Sequence, residues 1–97
     1  MTDITFNAFE ADARAQGFDE VAQRHWPAGQ IVAEHTHPFS VRALVVQGEM
    51  WLTVGAQTRY LHSGDTFELE LGAPHAERYG PEGATYWVAR RNGLSAA

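Results

Sequence analysis

The sequence predicts an all-β domain, an antiparallel sheet closed into a small sandwich or barrel and preceded by one short helix. Three observations lead there. From Val21 onward the chain is a series of short alternating or β-rich runs. Turn residues separate them at Pro27-Ala28-Gly29, Gly48, Gly55, Ser63-Gly64-Asp65, Gly72-Ala73-Pro74 and Gly80-Pro81-Glu82-Gly83. These intervals are too short for the crossover helices that parallel strands need, so neighbouring strands run antiparallel. The first twenty residues break the pattern with a run of helix formers.

Taken in order, Asn7 and Glu10 have the spacing of a capping box with Asn7 as N-cap, and Gly17 suits the left-handed position just past a helix end. A helix is expected over 8–16. The turn residues that follow delimit about eight strands. Along the strand from Gln30, alternation places Ile31, Ala33, His35 and His37 on one face and Gln30, Val32, Glu34 and Thr36 on the other, so that the histidines continue an apolar row. In the next strand Val41, Ala43 and Val45 share a face. Near the end of the chain His75, Glu77 and Tyr79 do the same. The organisation expected is a helical extension at 1–20 packed on a barrel at 21–91, with a frayed tail at 92–97.

Composition narrows the function classes. A chain of 97 residues with 44% hydrophobic content makes one domain, burying roughly two-thirds of the surface its unfolded form exposes. The chain has no run long and apolar enough to be read as a membrane-spanning helix, and its first residues do not read as a secretory signal, so a cytoplasmic location is expected. Cysteine is absent, which removes disulfides and thiolate ligands and leaves histidine and carboxylates for any metal. The net charge of −5 opposes nucleic acid and anionic membrane surfaces; Arg90 and Arg91 form only a small basic spot.

The chemistry concentrates in His35-Thr36-His37 and in Pro74-His75. Two imidazoles one residue apart on a strand project from the same face and can grip one ion. A third from a distant strand would complete a face of nitrogen ligands and leave the opposite side open to a small molecule. The plainer reading of a lone His-x-His is a pair of hydrogen-bonded imidazoles; the surrounding residues reverse that preference.

Those residues resemble the two sequence motifs of the cupin family. The first runs from Gly29 through His35-Thr36-His37 to Gly48, and the second from Gly64-Asp65 through Gly72-Ala73-Pro74-His75. Together they cover about half of the chain, and their joint order and glycine frame are specific. The resemblance implies an antiparallel jelly-roll β-barrel, a homodimer, and a divalent metal (Fe, Mn, Ni or Zn) bound by His35, His37 and His75. Three departures stand out. Val41 occupies the position of the family's glutamate ligand, and the neighbouring Arg42 has no lone pair to offer. Glu70 stands where proline is usual, and Tyr79 where asparagine is common. With no carboxylate the ion's double charge is undiminished, which favours an anionic or enolisable substrate bound through oxygen.

Two further residues are catalytic candidates. Glu77 faces the same way as His75 and can orient a ligand, act as a general base or substitute as a ligand; a salt-bridged surface carboxylate is the plainer reading. Tyr79 can bind substrate or simply pack at the rim. Arg42 is expected to point outward beside Glu49 or a partner subunit. The function read from all this is a metal-binding cupin acting as a small-molecule dioxygenase or isomerase on an oxygen-rich substrate, with a non-catalytic binding or sensing module as the alternative.

Overall fold

The computed structural model describes residues 4–92, so the tail expected to fray lies outside the described residues except for Asn92. The described chain holds helix α1 (Phe6–Ala15) and strands β1 (Glu20–Trp26), β2 (Ile31–His35), β3 (Phe39–Val54), β4 (Gln57–His62), β5 (Thr66–Leu69) and β6 (His75–Asn92). All strand pairings are antiparallel, as the short intervals require.

Helix α1 begins earlier than the capping-box spacing suggests. Thr5, not Asn7, is the N-cap, its hydroxyl accepting from the Ala8 amide at 3.1 Å. Packing selects this start. It sets Phe6 edge-on to Trp87 at 5.6 Å and buries Phe9 and Ala13 in a cluster with Leu44 and Ala89 on the outer face of the sheet. Burying Phe9 contributes roughly 2–3 kcal/mol, more than the roughly 1 kcal/mol that separates good caps from poor ones. The helix ends as its sequence indicates. Gly17 takes φ 95°, and the amides of Gly17 and Phe18 close back on the carbonyls of Arg14 and Ala13. Arg42 does not sit beside Glu49. Its guanidinium donates to Gln16 and lies 3.4 Å from Asp12, tying the helix to β3.

The sheet runs β1-β6-β3-β4, with β2 also paired to β6 and β5 to β3. The two long strands carry the closure. The first half of β3 pairs with the second half of β6, and its second half with the first half of β6. Gly48 and the segment ending at Gly83, expected to separate strands, are instead corners within continuous ones. Six strands thus do the work of about eight. The corner admits only glycine: at Gly48 (φ 79°) a Cβ would lie 2.1 Å from the Gly83 carbonyl oxygen, and at Gly83 (φ 71°) one would lie 2.2 Å from that of Trp26. Val41, Ala43 and Val45 point inward as alternation predicts and join Met50, Leu52, Leu61, Phe67 and Tyr79 in the main core.

Strand β2 departs from simple alternation. Val32 pairs with Glu77 and His35 with His75, so three steps on β2 oppose two on β6, which is a β-bulge. The extra residue puts Val32 on the same inner side as His35, while Ile31 is 69% exposed. The inward row is therefore Val32, His35 and His37, not Ile31, Ala33, His35 and His37. Arg90 and Arg91 likewise form no joint spot, because adjacent strand residues face opposite ways. Arg90 faces the interior cavity, and Arg91 donates to carbonyls at the helix end.

A candidate metal-binding site inside the barrel

Two separated stretches of backbone deliver the three histidines. His35 ends β2, His37 follows it, and His75 opens β6 opposite His35. The Gly72 amide donates to the His37 carbonyl at 3.0 Å, pinning the loop before His75 to the loop after β2. One ring nitrogen from each of the three residues can be chosen so that all lie within 4.8 Å of one another, and the ring centroids are 4.3–4.8 Å apart.

Hydrogen bonds orient two of the rings. His35 Nδ1 lies 2.8 Å from the Ala33 carbonyl, and His75 Nδ1 lies 2.9 Å from that of Ala73. A carbonyl only accepts, so each Nδ1 carries a proton, and in the neutral imidazole each Nε2 keeps its lone pair. His37 packs flat on Phe39 at 4.6 Å. Its pKa is lowered from 6.5 to about 4, first by burial, then by His75 and His35, then by Arg90 and Arg24. At neutral pH this imidazole too is an uncharged donor of a lone pair.

Glu77 is buried and reaches the same space. Its Oε2 lies 3.5 Å from His75 Nε2 and 3.7 Å from His35 Nε2, while Oε1 accepts from the Tyr79 hydroxyl. Tyr79 is 1% exposed, stacks on Trp26 at 5.3 Å, and touches the site through Glu77. Burial first, and then Tyr86 and Glu77, raise its pKa, so it remains a donor throughout the range in which proteins fold.

The residues fit a cation. His75 Nε2 is buried with no hydrogen-bond partner, and a Glu77 carboxylate oxygen, itself an acceptor, lies 3.5 Å from it. Lone pairs that converge without a proton between them are costly in a buried site, and a divalent ion removes that cost. A donor set of three imidazoles with a carboxylate beside it suits Fe, Mn, Ni or Zn.

The site opens on a cavity of about 130 Å³ with apolar walls from Trp26, Val32, Phe39, Phe67, Leu69 and Val88. Val41, in the position of the family's glutamate, is part of that lining and offers no ligand. Sequence reading missed Arg24, Trp26, Tyr86 and Arg90, which also line the cavity. Their signal was the period-two spacing of 24 with 26 and of 86, 88 and 90, invisible until β1 and β6 are paired. The other two histidines lie elsewhere, His25 bonded to Thr85 and His62 within the Asp65 turn.

No protein-family model and no curated protein sequence matches the chain significantly. Solved structures do. The DMSP lyase DddQ from Ruegeria pomeroyi superposes with a TM-score of 0.69 at 29% identity, over 81% of this chain and 42% of that one. The cupin domain of Schizosaccharomyces pombe Cnp3 gives 0.69 at 18% identity, over 77% and 57%. A predicted oxalate decarboxylase from Thermotoga maritima gives 0.68 at 17%, over 84% and 72%. This is a cupin barrel. The two matches below a quarter identity speak to the fold alone, and the chain spans well under two-thirds of the length of DddQ and of the Cnp3 chain. Within the cupin barrel the three histidines stand where the sequence resemblance implied, and the carboxylate nearest them comes from β6 instead of β3. Among the described residues no helix is long and apolar enough to cross a membrane.

Proposed function

We propose that this cupin is a metal-dependent enzyme in which His35, His37 and His75 hold one divalent ion and Glu77 moves a proton on a small, oxygen-rich substrate. The observation that carries the reading is the partnerless Nε2 of His75, buried and facing Glu77 Oε2 at 3.5 Å. The ion supplies Lewis acidity toward a substrate oxygen and, if ferrous, a site for dioxygen. Of the dioxygenase and isomerase chemistries, a buried carboxylate beside the histidines favours proton transfer. Glu77 Oε2 takes the proton from the carbon next to a carbonyl, the C–H electron pair moves into the new C=C bond, and the carbonyl electrons move to oxygen. Return of that proton to a neighbouring atom gives the isomer. Tyr79 fixes Glu77 through Oε1 and keeps Oε2 turned to the substrate. The likeness to DddQ, named a lyase, supports enzymatic use of such a barrel.

Elemental analysis of tag-free protein should find about one metal per chain. The metal-loaded protein should exchange α-protons of a 2-oxo acid with deuterated water, and Glu77→Gln should abolish that exchange while retaining metal. Protein without metal overturns the reading. Metal without exchange, across a panel of 2-oxo acids and diketones, replaces it with the binding or sensing module.

The homodimer belongs to the same proposal. Ile31, Arg78, Trp51 and Tyr60 are paired across four strands in one outward row, with Arg78 stacked 4.1 Å from the Trp51 ring. A sedimentation mass of one chain withdraws it.

A further inference from the structure

The cavity beside the histidines carries two cationic groups that metal binding does not use. Arg24 and Arg90 both line it, and the whole chain has only seven basic residues against twelve acidic ones. Among the described residues no carboxylate lies within ion-pairing distance of Arg24, whose guanidinium rests 5.2 Å from the Trp26 ring. Arg90 is held 4.7 Å from the Phe39 ring and reaches only the exposed Glu20, at 3.8 Å. Both therefore keep donors for a ligand. With the metal removed, the two guanidiniums and Glu77 sum to one positive charge, which matches a monoanion better than a phosphate dianion. The remaining walls are apolar, so the body of the ligand must be apolar too. The volume of about 130 Å³ is close to the roughly 150 Å³ of a cavity known to hold benzene, which suits a ligand body of about six to eight non-hydrogen atoms.

We propose that Arg24 and Arg90 bind the carboxylate of a small 2-oxo or 2-hydroxy monocarboxylic acid, whose short apolar body fills the cavity while its second oxygen faces the histidine cluster. The substrate class rests on the enzymatic reading above; the carboxylate site itself does not. Guanidinium suits this role because its fork of donors meets both carboxylate oxygens and keeps its charge at every working pH. A sugar or nucleotide would have to extend out of the cavity's open mouth, where no apolar wall would cover it.

Calorimetric titration with 2-oxobutyrate, its methyl ester and inorganic phosphate tests the site, using the protein both as purified and after chelation. The acid should bind at least tenfold more tightly than the ester and, in the chelated protein, than phosphate. Arg24→Gln and Arg90→Gln should each lower acid affinity tenfold or more, leave the ester unchanged and keep the metal content of the parent. Arg24→Lys, which keeps charge but loses the fork, should fall between. The chelated protein should retain the preference for acid over ester at lower affinity. Protein that holds no metal as purified, with that preference intact, removes the enzymatic reading and leaves the carboxylate site standing. Equal binding of acid and ester, phosphate preferred over the acid by the chelated protein, no measurable binding of the acid, or folded arginine variants that bind like the parent would each overturn the carboxylate site.

Discussion

Glu77 Oε2 and the neutral imidazole's Nε2 of His75 face each other at 3.5 Å inside the barrel, two acceptors with no hydrogen bond between them. Such a pair is stable only with a cation or an added proton nearby, so metal should be tightly linked to stability. At a free metal concentration one hundred times the dissociation constant, mass action adds about 2.7 kcal/mol, which for a domain of this size raises the melting temperature by on the order of 10 °C. Differential scanning calorimetry with and without chelator measures it. His75→Ala should abolish the metal-dependent rise while leaving a cooperative transition, because the apolar core and not the ion holds the barrel together. A variant that fails to fold would make the site structural.

The Tyr79–Glu77 contact yields a second expectation. Tyr79→Phe keeps the stack on Trp26 and deletes only the hydroxyl that Glu77 Oε1 accepts. Leaving a buried carboxylate oxygen without its donor costs about 1–3 kcal/mol of stability. A freed Glu77 also orients less well, so metal affinity or α-proton exchange should drop roughly 10- to 100-fold. Denaturant melts and metal titration read the two effects separately. A variant with unchanged exchange and metal affinity would confine Tyr79 to packing.

How much of this was legible in the sequence depends on whether a signal is local. The helix stop at Gly17 and the inward row Val41, Ala43 and Val45 follow from neighbours in the chain, and both were readable. So was the histidine set, because its spacing and glycine frame are themselves sequence. The start of α1 was not. Several residues there can cap, and the choice of Thr5 is made by where Phe9 and Ala13 meet the sheet. The bulge in β2 was invisible for a similar reason. Alternation assumes one residue per step, and only pairing with β6 shows that three steps on β2 meet two on its partner. Arg24 and Arg90 lie more than sixty positions apart, so their shared cavity appears only when β1 and β6 are joined.

Acid should weaken the metal-free protein through His37. Its folded pKa of about 4 lies below the 6.5 of the unfolded chain, so between these values the unfolded state binds a proton that the folded state rejects. Stability is complete above about pH 6.5 and falls as the pH drops toward about 4. Metal affinity should weaken over the upper part of that range as well, because protons compete for the imidazole lone pairs. Chelated wild type and His37→Gln, melted from pH 7 to pH 4, separate this from the general titration of carboxylates. The wild type should lose more across the window than the variant. Parallel curves would mean that His37 is not held neutral by the fold.

Gly55 in the β3–β4 turn and Gly83 at the corner offer a contrast in stability. At Gly55 the backbone has φ 61° and a Cβ would meet nothing within 4 Å, so Gly55→Ala should cost only the left-handed conformation, about 1–2 kcal/mol. At Gly83 φ is similar, 71°, but the same Cβ would lie 2.2 Å from the Trp26 carbonyl oxygen and 3.1 Å from the Pro27 carbonyl carbon. Backbone cannot step aside as a flexible side chain does. Gly83→Ala must therefore push β6 off the end of β1, and it should cost about 4 kcal/mol or more, in the range reserved for broken buried features. Trp26 stacks on Tyr79 and lines the cavity, so this displacement should also disturb Glu77. Equilibrium unfolding of the two variants side by side measures the contrast. Equal losses at Gly55 and Gly83 would mean that conformation alone, and not the close approach of β6 to β1, fixes glycine at the corner.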